Sequence, residues 1–154
     1  MNLTLLLISS GIIVIYLAYI FIRYGIQPSI SNSYYALGNK EKPLFTLALW
    51  GFAIPIIIVA NTPIMFIGAS FICVVGATQN FKIKSEGLVH SISAVIGIGL
   101  GIASLFFEFK TPLTAIAIIL SGIALYVFNA KNKVLWVEII ALSMNSLSLY
   151  LTQI

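Results

Sequence analysis

Six apolar runs divide the chain, at about residues 3–22, 44–60, 63–79, 87–107, 112–128 and 134–151. A helix needs about 20 apolar residues to cross the roughly 30 Å hydrocarbon core of a bilayer. The pattern therefore predicts an all-α polytopic membrane protein, a six-transmembrane-helix bundle forming one domain over residues 1–154. Only Asn61 and Thr62 separate the second run from the third, which predicts a tight helical hairpin. Pro63 and Pro112 suit the first turn of a helix, where a missing N–H costs nothing. Pro55 lies within the second run and is expected to kink it and free a carbonyl. No basic segment precedes the first run and no small-residue cleavage site follows it, so a retained span is expected rather than a cleavable leader.

Composition agrees with that reading. Hydrophobic residues make up 60% of the 154 and charged residues 8%, against about 25% charged in a soluble globular domain. The formal net charge of +4 comes from basic residues scattered between apolar runs, which argues against a nucleic-acid partner. Their placement is ordered. The loops holding Arg23, Lys40 and Lys42, then Lys82 and Lys84, then Lys131 and Lys133 alternate with loops that hold only Lys110. The positive-inside rule puts the seven in the cytoplasm and both termini on the non-cytoplasmic side. Matches between the two halves of the chain stop at Lys42-Pro43-Leu44 and Lys110-Thr111-Pro112-Leu113, too little to establish an inverted repeat.

Two ionisable residues fall inside apolar runs. Glu138 lies in the sixth, and helical spacing extends its side through Ala141, Asn145, Ser148 and, less closely, Gln153. His90, the only histidine, heads a small-residue face of Ala94, Gly97, Gly101 and Ser104, which should let another helix approach closely or make a homo-oligomer contact through Gly97/Gly101. Both lie just past basic loops, so His90 and Glu138 are expected to meet near the cytoplasmic surface. Lys131, Lys133, Gln79 and hydroxyls of the first long loop are the other donors on that side. Residues 29–35, with Ser31, Ser33 and Tyr34, are expected to roof the pair, and residues 34–37 to form a short interfacial helix. The plain alternatives are a hydrogen bond between two helices, a Glu that snorkels to the headgroups, and tyrosines that only anchor the interface. Cys73 is read as a buried, inert thiol. With one His, one Cys and no Asp, neither a metal site nor a cofactor is expected.

Pro28-Ser29-Ile30-Ser31-Asn32-Ser33-Tyr34-Tyr35 after a first run, with His90 opening a later one, resembles small six-span membrane proteins of bacteria and their phages. That resemblance implies a bacterial inner membrane. More distantly, a serine and a histidine near one membrane face are similar to the ceramidase and adiponectin-receptor-like superfamily of membrane hydrolases. That superfamily gathers several His and an Asp around zinc, so its metal chemistry is not expected here. The leading expectation is a pocket facing the cytoplasm that binds a lipid headgroup or small ligand through His90, Glu138, Asn145, Gln79, Ser31, Ser33 and Tyr34, with membrane lipids as partners. Two other classes stay open. One is a small oligomeric transporter or channel. The other is a non-metal membrane hydrolase with Ser33 or Ser91 beside His90.

Overall fold

The computed structural model describes residues 3–107 and 111–151, so Glu108, Lys110 and Gln153 lie outside it. Among the described residues the protein is all-α, with seven helices and no strand. Six of them occupy the six apolar runs: α1 (Leu3–Tyr24), α3 (Pro43–Val59), α4 (Pro63–Ala77), α5 (Lys84–Phe107), α6 (Pro112–Val127) and α7 (Lys133–Leu151). The seventh is a single turn, α2 (Ser33–Ala36), in the long segment after α1. Pro43, Pro63 and Pro112 each stand in the first turn of a helix, where their fixed φ favours initiation. Gly25 ends α1 in the left-handed conformation (φ +72°) and returns its N–H to Phe21 O, a close that a Cβ would oppose.

α1 packs against α3, α3 against α4, α4 against α5 and α5 against α7, and α7 closes the ring on α1. α6 lies outside this ring, against α7 and α5. The inward face of α1 reads Leu6, Ser9, Ile13, Tyr16 and Ile20, one buried residue every three or four positions. Small residues set the closest approaches. A Cβ added to Gly97 would lie 2.8 Å from Ile72 Cδ1 and 3.3 Å from Gly68 O, and one added to Gly68 would lie 3.2 Å from Leu100 Cβ. Gly97, in the small-residue face of α5, is thus covered by α4 of the same chain. Gly101 faces the Asn145 side chain of α7.

Pro55 sits inside an unbroken α3, and Ser9 Oγ donates to Phe52 O at 2.6 Å, next to the carbonyl that Pro55 cannot serve. Cys73 is half-buried rather than fully enclosed.

The outer surface is apolar as well. Ile15, Val95 and Leu113 are 71, 73 and 81% exposed, and every long helix carries exposed large apolar side chains. α1 and α5 are long and apolar enough to cross a membrane, whereas α3, α4 and α6 are shorter apolar helices.

Candidate functional site

The strap formed by residues 25–37 decides which polar groups meet. Ser29 Oγ accepts hydrogen bonds from Asn32 N at 3.0 Å and Asn32 Nδ2 at 2.9 Å, and the Ser33 N–H returns to Ile30 O at 3.1 Å. These local bonds hold the turn that leads into α2. Two long-range bonds then dock the turn on α7. Leu135 N, in the first helical turn where N–H groups lack an internal partner, donates to Pro28 O at 3.2 Å. Ile30 N donates to Glu138 Oε2 at 2.6 Å.

The next residue, Ser31, turns to α5. Its Oγ lies 2.8 Å from His90 Nε2. His90 Nδ1 lies 2.8 Å from Thr78 O, a carbonyl that only accepts, so Nδ1 carries the ring proton. Nε2 of the neutral ring is then the acceptor, and the Ser31 hydroxyl donates to it. Phe81 stacks on the imidazole with centroids 4.7 Å apart, and Tyr35 meets Phe81 edge-on at 4.8 Å. His90 itself is buried.

His90 and Glu138 therefore do not bond to each other. The strap intervenes, and consecutive residues, Ile30 and Ser31, take one each. The other expected site residues divide. Ser33 accepts from Tyr16 Oη at 2.5 Å and donates to Ile30 O at 2.6 Å, so it braces the strap against α1. Tyr34 packs on Tyr35 and Phe45, with Lys42 Nζ 5.2 Å from its ring centroid. Gln79 leaves the site. Its Nε2 donates to Thr46 Oγ1, which in turn donates to Gly76 O at 2.8 Å, so it ties α3 to the end of α4. Asn145 donates to Ala141 O at 2.8 Å and lines a deeper cavity. Ser91 is exposed. The serine beside His90 is Ser31, not Ser33 or Ser91.

Beneath the strap a cavity of about 40 Å³ is lined by Ile30, Ser31 and Glu138 together with apolar residues of α3, α4, α5 and α7. The second carboxylate oxygen, Oε1, takes no hydrogen bond from the described residues. Glu138 also has no ion pair among them, where Arg23–Glu41 is the salt bridge present.

Sequence reasoning passed over Glu41. Tyr19 Oη donates to its Oε1 at 2.7 Å, Tyr24 Oη and the Gly38 N–H donate to Oε2, and Arg23 Nη2 stands 3.3 Å from Oε1. The two tyrosine hydrogen bonds foremost, with Gly38 and Arg23, hold this carboxyl at about 2, against a partial opposing effect of desolvation. Its one signal in the sequence is that Glu41 is the sole acid between the first two apolar runs.

The site's own side chains can accept hydrogen bonds, transfer protons and supply a serine hydroxyl. Comparison with protein-family models, curated proteins and solved structures gives no match.

Proposed function

We propose that the chain is a six-span protein of a bacterial inner membrane. Its strap-covered site would face the cytoplasm and bind a small ligand or lipid headgroup that presents an ammonium or N–H donor to Glu138. The single observation carrying this is the division of labour at that carboxylate. One oxygen holds the strap through Ile30 N, the other has no hydrogen-bond partner among the described residues, and Glu138 lines the cavity beneath the strap. A carboxylate in an apolar run costs at least about 2.5 kcal/mol, and the oxygen not bonded to the strap keeps acceptor capacity for a ligand donor. Support for six spans comes from the apolar outer surface and from the meeting of the three basic loops at one end of the ring. α3, α4 and α6 have 17, 15 and 16 residues, several ångström short of a roughly 30 Å core. Bilayer thinning accommodates such a mismatch at fractions of a kcal/mol per Å.

Thermal unfolding in detergent tests the ligand. Phosphatidylethanolamine represents the lipid source and free ethanolamine the soluble one. At a hundredfold excess over Kd, a bound ligand stabilises by about 2.7 kcal/mol, and Glu138→Gln should lose that rise. No rise with either probe overturns the reading.

The 2.8 Å contact between Ser31 Oγ and His90 Nε2 favours a second reading, acyl transfer. His90, oriented by Thr78 O, would take the Ser31 proton as Oγ attacks an ester or amide carbonyl, then pass it to the leaving group. Labelling of Ser31 by a fluorophosphonate, lost in Ser31→Ala and His90→Ala, is its signature. Wild-type protein that stays unlabelled removes it.

A further inference from the structure

The cavity under the strap is not isolated. A second cavity, of about 60 Å³, lies further along the inside of the ring and is lined by Gly101, Ser104 and Asn145 among others. Asn145 is seven positions beyond Glu138 on α7, about 10 Å along the helix. Ile72, Ile98 and Leu142 line both cavities, so these three apolar side chains form the partition between them. Each cavity exceeds the roughly 10–15 Å³ that one water requires. Ser148, one turn beyond Asn145, keeps a buried Oγ without a hydrogen-bond partner among the described residues. The interior thus presents a carboxyl, an apolar partition and an amide with hydroxyls in sequence.

We propose that this line of cavities is a proton path, with Glu138 taking up the proton on the strap side and water carrying it past Ile72, Ile98 and Leu142. The inference rests on the six-span reading but not on the ligand. Among the described residues, Glu138 is the one titratable side chain on the wall of either cavity. α3 contributes Leu49, α4 Ile72 and Val75, and α5 Ala94 and Ile98 to the first cavity, all apolar. Two titratable groups stand behind the strap: His90, reached through Ser31, and Tyr16, reached through Ser33. The step makes and breaks O–H bonds only. The Glu138 carboxyl gives its proton to a water oxygen in the cavity, and the carboxylate left behind is reprotonated from the strap side. An apolar partition opens such a route when water crosses it and closes it when water withdraws. A cationic ligand group and a proton would compete for the same oxygen.

The test is proton uptake into liposomes that carry the purified full chain and an internal pH dye, driven by a potassium diffusion potential. Wild-type protein should acidify the lumen faster than protein-free liposomes. Ile98→Ser, which wets the partition, should raise the rate about tenfold, as expected when a barrier falls by one decade. Leu142→Ser serves the same purpose if the first variant fails to fold. Glu138→Gln should return the rate to that of protein-free liposomes, while Glu138→Asp should retain uptake. Rates at the protein-free level for wild type and a folded partition variant overturn the proposal, and so does undiminished uptake in Glu138→Gln. A topology reporter after Ile154 separates the two levels. Absent flux with the reporter on the outside defeats the proton path alone, whereas a cytoplasmic reporter defeats the six-span reading beneath it.

Discussion

Two carboxylates near the same end of the ring, Glu41 and Glu138, are held in opposite ways. Glu41 is saturated by two tyrosine hydroxyls, a backbone N–H and a guanidinium. Glu138 spends one oxygen on the strap, leaves the other without a partner among the described residues, and lines a cavity. The first arrangement suits a structural clamp and the second a site. The clamp has a pH signature. Its folded pKa, about 2, lies below the ordinary 4.5, so its contribution to stability is present above 4.5 and is lost as pH falls from there toward 2. Thermal stability in detergent should therefore decline across that window in the wild type. Glu41→Gln should lack the contribution at neutral pH and show a shallower decline. An unchanged acid limb in that variant would show that the clamp does not contribute. Nothing in the spacing of Tyr19, Tyr24 and Glu41 announces this cluster, because the chain reverses direction between them through a segment with no hydrophobic period.

At the scale of elements, the apolar runs and the helices share their edges because the same residues mark both. Proline opens α3, α4 and α6, and left-handed Asn129 and Asn132 mark the turn before α7. The faces were legible for the same reason. His90, Gly97 and Ser104 are buried on one side of α5, as their spacing implies. What could not be read is which groups those faces meet. The strap has no period, and its course depends on a left-handed Gly25, a serine-held turn and two bonds to α7 that span more than a hundred residues of sequence. That irregular backbone places Ser31, not Glu138, on His90 and inserts Ile30 N before Glu138. Depth alone groups Gln79 with the site in the sequence. The link after α4 instead turns it toward Thr46, whose hydroxyl it needs once the helix has ended. The contact available to Gly97 went to α4 because Gly68 offers an equally bare backbone there.

For the whole molecule, the strap is also what gathers charge. Lys82 N bonds Tyr35 Oη at 2.9 Å, and Leu135 N bonds Pro28 O. The loops carrying Arg23, Lys40 and Lys42, then Lys82 and Lys84, then Lys131 and Lys133 are thereby tied together at one end of the ring. Seven of the eight basic residues thus share that end, and Lys110 belongs to the link between α5 and α6. In a bilayer, short loops with this bias are retained in the cytoplasm. Under the proposed six-span reading, the even number of crossings would set both termini on the opposite face. The expected outcome is concrete. A reporter active only in the cytoplasm should be silent when fused after Ile154 and active when inserted after Lys131. A cysteine introduced beside Asn61, in a Cys73→Ala background, should react with an impermeant thiol reagent added outside intact cells. Strong cytoplasmic activity after Ile154 would mean an odd number of crossings. α7, with Glu138, Ser143, Asn145, Ser146 and Ser148 on one helix, is then the element to suspect, since its polar groups run from Lys133 to Ser148 and it closes the ring by packing on α1 and α5.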